Sequence, residues 1–124
     1  MRKVGWFDIY VDDMDRAQRF YEAVLETKLA SMDDPNDDTV QMRVFEDDYA
    51  SHGAGGALVK IEHGRPGPGG SMVYFSCEDC AVEQARVADA GGQVVRPRFA
   101  IGAHGYVSLA MDTEGNMIGL HSNA

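Results

Sequence analysis

The 124-residue chain has no long apolar run, few basic residues, two cysteines and one tryptophan. Its apolar runs reach only a few residues, and a helix that spans a bilayer needs roughly 20, so no such helix is expected. The first thirteen residues place Asp8, Asp12 and Asp13 ahead of any apolar stretch, unlike an export signal. Lys and Arg number 11 against 20 Asp and Glu, a net charge of −9. Such a field repels polyanions, which excludes nucleic acid and anionic membrane as expected partners. With two cysteines and no export signal, a cytoplasmic protein without structural disulfides is expected.

Two motif classes are also missing. The acidic stretch Asp33-Asp-Pro-Asn-Asp-Asp38 lacks the glycine bend and closing glutamate of a calcium loop, and reads as a solvated turn, like Glu46-Asp-Asp48. The tract Ser51–Gly56 is glycine-rich but lacks the strand, G-x-G-x-x-G and helix of a dinucleotide site.

What the chain does contain is a pattern written twice. The segment His63–Gly70 holds four glycines and two prolines in eight residues, where neither helix nor strand persists. It separates residues 1–62 from residues 71–124. On the left, Lys3–Val11 alternates like a strand. Asp13 then caps a helix whose Met14, Ala17, Phe20, Tyr21, Val24 and Leu25 recur at spacings of three and four. Strands are expected at Thr27–Met32, Thr39–Glu46 and Gly56–Glu62. On the right, Ser71–Cys77 is strand-like, and Asp79 caps a helix running to Ala90, stopped by Gly91-Gly92. Strands follow at Gln93–Arg98, Tyr106–Met111 and Met117–Ser122, with a tight turn at Asp112–Asn116 around Gly115.

The fold class is therefore α+β: two βαβββ modules forming a cupped mixed sheet around a shared cleft. Modules of about 60 residues bury little core alone, so each helix should cover one face of its sheet. Phe7, Ile9, Val11, Val73, Phe75 and Cys77 should pack beneath the helices, with Ile118 and Leu120. The alternate residues, Trp6, Asp8, Tyr10, Met72, Tyr74, Ser76 and His121, should line the cleft. Tyr106 is placed with them, and an aromatic cleft with a few polar groups suits a small molecule.

Three stretches carry a family resemblance: Val11-Asp-Asp-Met-Asp-Arg-Ala-Gln-Arg-Phe-Tyr-Glu22, Ala90-Gly-Gly-Gln-Val-Val95 and Asp112-Thr-Glu-Gly-Asn-Met-Ile-Gly-Leu-His-Ser122. In this order they resemble the vicinal oxygen chelate superfamily, which includes glyoxalase I, bleomycin-resistance proteins and extradiol dioxygenases. The resemblance implies paired βαβββ modules, commonly in a homodimer. It also implies a divalent metal in the enzymes of the family, held by a His seven residues before each capping Asp and a Glu three residues after the hairpin Asn. Here those positions are Trp6, Met72 and Gly119, and the matching place in the first module falls near Val59. None is an imidazole, carboxylate or thiolate, so neither metal ligands nor a cofactor are expected. The resemblance then implies a metal-free small-molecule-binding protein like the bleomycin-resistance branch. The alternative is a glyoxalase-like lyase or isomerase, or a dioxygenase-related enzyme, acting in the same cleft.

Asp8 and His121 could pair as a catalytic acid and base, or satisfy each other structurally. Arg43 is placed on the cleft face with Gln41 and Phe45, where it could meet an anionic ligand group or a nearby surface acid. His104 could reach a ligand from its loop or lie in solvent; His52 and His63 read as solvated. Cys77-Glu-Asp-Cys80 is a C-x-x-C motif without a second pair to complete a zinc site.

Overall fold

The computed structural model describes residues 3–46 and 53–124. His52, Asp47, Asp48 and Ser51 lie outside the described residues. The first module runs β1 (Trp6–Tyr10), α1 (Met14–Leu25), β2 (Leu29–Met32), β3 (Gln41–Phe45) and β4 (Gly55–Lys60). The second runs β5 (Val73–Ser76), α2 (Cys80–Val87), β6 (Gln93–Ala100), a 3₁₀ turn (Gly102–His104), β7 (Tyr106–Met111) and β8 (Met117–Ser122). They form two four-stranded sheets, ordered β1-β4-β3-β2 and β5-β8-β7-β6. The β1–β4 and β5–β8 pairs are parallel and the other pairs antiparallel. The architecture is α+β, as the doubled pattern predicts.

Both helices start where expected. The Asp13 carboxylate accepts the Arg16 N–H at 3.0 Å, and Asp79 accepts the Ala81 N–H at 3.0 Å, filling donors that a first turn leaves open. The stops differ. α1 ends on Glu26 in the left-handed region, φ 48°. α2 closes at Val87, short of Ala90, and the chain continues in turns to Gly91 at φ 98°, where the Gly92 N–H reaches back to the Val87 carbonyl at 2.9 Å. Strand β6 extends to Ala100 with register shifts between Val94, Arg96 and Phe99. Pro97 lies within that stretch and has no N–H to give the ladder.

Each helix covers one face of its own sheet, and one apolar core joins the modules. Ile9, Leu58 and Phe45 from the first sheet and Ile118, Leu120 and Ala110 from the second lie beneath the helices with Phe20, Tyr21, Cys80 and Val87. Aromatic rings carry the core across the seam. Phe75 lies 6.1 Å from Phe7, 5.9 Å from Tyr21 and 5.8 Å from Phe45, within the range of favourable aromatic pairs. Edge strands β1 and β5 thus lie along the same seam while belonging to separate sheets.

The β7–β8 turn locks the modules together. Its buried Glu114 accepts the N–H groups of Asp12 (2.9 Å) and Asp13 (2.7 Å) at the start of α1. It also accepts from Arg16 Nε at 2.7 Å, Arg16 Nη2 at 3.0 Å and the Thr113 hydroxyl at 2.9 Å. Burial alone would raise its pKa; the bonds from Arg16, the Asp13 amide and Thr113 outweigh this and hold it at about 2. Beside it, the buried Tyr21 hydroxyl donates to Asp112 at 2.6 Å. Burial, then the Asp112 charge, pushes that phenol well above its usual pKa. Asn116 donates to the Tyr10 carbonyl at 2.9 Å and accepts the Gly67 N–H at 2.8 Å, fixing the end of β1 and the glycine-proline segment. Gly115 takes φ 84° in this turn, as the sequence requires.

Candidate functional site

Strand pairing decides which side chains face away from the helices. In the first sheet Trp6, Asp8 and Tyr10 stand over Gly55, Ala57 and Val59, and Met42 pairs with Val59. In the second, Tyr74 and Leu109 flank Gly119, while Ser76 and Val107 flank His121. This open face carries large exposed apolar side chains: Trp6 at 44%, Tyr10 at 41%, Met32 at 48%, Met72 at 37% and Tyr74 at 53%.

Two expected members are not on it. Arg43 pairs with Leu58 on the helix-facing side, donates to the Gln18 side chain and lies 3.5 Å from Asp15. Its partner in alternation is core residue Phe45, so the strand's parity is the reverse of that expected. Tyr106 pairs with Ser122, packs against the core and has the Arg98 guanidinium 3.7 Å above its ring. It too faces a helix, because β7 alternates in the opposite sense.

Of the remaining candidates, Asp8 and Tyr10 border one hollow and Tyr74, Ser76 and His121 another, while Trp6, Met72 and His104 line neither. The first, of about 440 Å³, lies at an end of the seam between Asp8, Tyr10, Arg65, Ser71, Asn116 and Met117. The second, of about 390 Å³, lies on the open face of the second sheet between Tyr74, Ser76, Phe99, Ile101, Leu109 and His121. Tyr74 and Ser76 also edge a third, of about 380 Å³, beside Phe7, Phe45 and Glu83. Asp8 and His121 have separate partners. The Asp8 carboxylate accepts the Trp6 indole N–H at 2.9 Å, and His121 Nε2 lies 2.8 Å from the His104 carbonyl oxygen. His104 therefore serves the site through its backbone, while its side chain is exposed. The Tyr74 hydroxyl lies 4.0 Å from the Met72 sulfur.

Sequence reading missed Phe99, Ile101 and Leu109. Leu109 was within reach: Met111 pairs with Met117 across the turn, so counting back from Met117 on the cleft side puts Leu109, not Tyr106, on the open face. Phe99 and Ile101 follow from the irregular β6 and the 3₁₀ turn, which no simple alternation gives. The C-x-x-C motif lies on the helix side. Burial, then the Glu83 carboxylate, pushes the Cys77 thiol up to about 12, and Cys80 is fully buried, the opposite of a reactive thiolate.

The positions where a divalent ion would be held do not fit one. Trp6 and Val59 offer no coordinating atom and Met72 only a thioether. At Gly119 the Tyr74 ring occupies the space into which a side chain would rise. Among the described residues no three His, Cys, Asp or Glu side chains converge to hold a metal ion. Among them, too, no helix is long and apolar enough to cross a membrane.

Solved structures share the fold of this chain. Glyoxalase I from Zea mays superimposes with a TM-score of 0.72 at 19% identity, over 95% of this chain and 45% of the maize chain. The present chain thus spans about half that enzyme's length. TnmS3, an antibiotic binding protein from Streptomyces, matches at 0.69 and 23% identity, over 100% of this chain and 98% of its own. A glyoxalase/bleomycin resistance protein from Albidiferax ferrireducens matches at 0.69 and 20% identity, over 94% and 96%. No sequence relative among curated proteins matches the chain. A family model, however, matches residues 3–120, nearly the whole doubled pattern. With its two βαβββ modules, the chain belongs to the Glyoxalase/Bleomycin resistance protein/Dioxygenase superfamily.

Proposed function

We propose that this protein binds a small organic molecule on the open face of its sheets without the aid of a metal ion, in the manner of the bleomycin-resistance branch. One observation carries the reading: the open face displays Trp6, Tyr10, Met72 and Tyr74 to solvent, while the family's metal-holding positions carry groups that cannot coordinate. Aromatic walls with a few polar atoms are the usual make-up of such sites. The antibiotic-binding neighbour fits this reading. The expected ligand contacts are Trp6, Tyr10, Met72, Tyr74, Ser76 and His121, with Asp8 and the His104 loop beside them. A second copy of the chain covers part of the exposed apolar face, giving a homodimer; cytoplasmic residence accords with two free cysteines.

The test is a ligand screen by Trp6 fluorescence, with and without chelator, beside elemental analysis. Binding that survives chelation in a protein without stoichiometric metal is the expected result. A tightly held divalent ion whose removal abolishes binding would overturn it. A second reading, a glyoxalase-like lyase or isomerase, is favoured by the oriented imidazole of His121. It requires that a bound molecule be converted and that His121→Ala abolish the conversion.

A further inference from the structure

The hollow on the second sheet has a restrictive chemistry. Its walls are the Tyr74, Phe99, Ile101, Val107 and Leu109 side chains, and its polar groups are His121 and the hydroxyls of Ser76 and Tyr74. None of its lining residues is Asp, Glu, Lys or Arg, so no ion pair with a carboxylate, ammonium or guanidinium in the lining repays the cost of desolvating a ligand charge. Arg96 stacks on Phe99, 3.6 Å from the ring centroid, and steadies that wall.

The decisive contact is that of His121 with the His104 carbonyl, 2.8 Å from Nε2. A carbonyl oxygen can only accept, so Nε2 carries the hydrogen. The neutral ring then has its lone pair on Nδ1, which can only accept. Among the described residues no group donates to Nδ1. Ser76, paired with His121 across β5 and β8, adds a hydroxyl that can donate or accept. Both hydroxyls at the hollow, of Ser76 and Tyr74, can turn to either role; the ring nitrogen alone is fixed as an acceptor, and it favours a ligand that brings a donor.

Resting on the ligand-binding reading above, we propose that this hollow is the primary seat, and that it takes an uncharged aromatic ring system bearing a hydroxyl or N–H donor, which bonds to His121 Nδ1. The 3₁₀ turn is a positioning element, since its His104 carbonyl sets the tautomer.

Three naphthalene probes test this on the full chain: 2-naphthol, 2-methoxynaphthalene, which lacks the donor, and 2-naphthoate, which is charged. Binding is followed by calorimetry and by amide and imidazole nitrogen NMR. The expected result is that 2-naphthol binds about tenfold or more tightly than either analogue, the worth of about one good hydrogen bond. It should also move the Tyr74, Ser76 and Leu109 amides and the His121 Nδ1 resonance. In His121→Phe the preference for 2-naphthol over 2-methoxynaphthalene should vanish. Leu109→Trp, which fills the hollow from another strand, should block both. Equal affinity for the three probes, shifts confined to the hollow at Asp8 and Tyr10, or no binding of 2-naphthol would each overturn the seat. Should the wider screen still yield a ligand that perturbs Trp6, the binding reading survives that failure; a screen without any ligand removes both.

Discussion

Removing the Glu114 carboxylate should uncouple the two modules more than any other single polar change. In Glu114→Gln the shape is kept, but one oxygen becomes an NH2 group that faces donors in either orientation: the Asp12 and Asp13 amides with Arg16 Nη2, or Arg16 Nε with the Thr113 hydroxyl. The wild-type carboxylate accepts five bonds of 2.7–3.0 Å from those groups and Thr113. Its pKa is lowered from 4.5 to about 2, a shift whose full conversion at about 1.4 kcal/mol per unit gives about 3 kcal/mol. Arg16 is about half exposed, so solvent screens part of this and about 2 kcal/mol is the expected loss at pH 7. The sign follows from linkage. A depressed folded-state pKa stabilises fully above the unfolded value near 4.5, and that stability is lost as pH falls through 4.5 towards 2. Urea denaturation followed by circular dichroism at pH 7, 5, 4 and 3 should show wild type and variant converging as the pH falls. Equal stability at pH 7, or a gap that persists unchanged at pH 3, would refute the reasoning.

Three further outcomes are expected. Tyr21→Phe leaves the buried Asp112 without its 2.6 Å donor and should cost about 1–2 kcal/mol in the same denaturation assay. Gly119→Ala drives a methyl into the Tyr74 ring and should cost about 1–3 kcal/mol; adding Tyr74→Ala should recover part of it, and additive losses in the double variant would contradict the contact. Arg43→Ala breaks its contacts with Gln18 and Asp15 and should change stability by about 0.5 kcal/mol. Any ligand found by Trp6 fluorescence should bind that variant as it binds wild type, because Arg43 faces α1.

The order of elements, both helix starts and the core faces of β1, β5 and β8 were legible in the residues. Capping acids, three-and-four spacing and two-residue alternation are local, and Asp13, Phe7, Ile9, Phe75 and Leu120 obey them. Strand parity in β3 and β7 was not legible, because Gln41-Met-Arg-Val-Phe45 and Tyr106-Val-Ser-Leu-Ala-Met111 carry apolar groups on both faces. Only pairing with Leu58 and Ser122 sends Arg43 and Tyr106 towards the helices. The Asp112–Asn116 stretch reads locally as a turn, yet its carboxylates end up at α1 and Tyr21, about 100 and 91 positions away.

Sequence alone determined that the chain is a twice-repeated βαβββ unit and that its would-be metal positions hold Trp6, Met72 and Gly119, since side-chain identity needs no coordinates. Tertiary structure decided which residues share a hollow. It separated Asp8 from His121, brought Phe99 and Leu109 to the imidazole, and set that ring's tautomer through the His104 carbonyl. Such proximity depends on strand register and turn geometry, which arise only when distant segments pack.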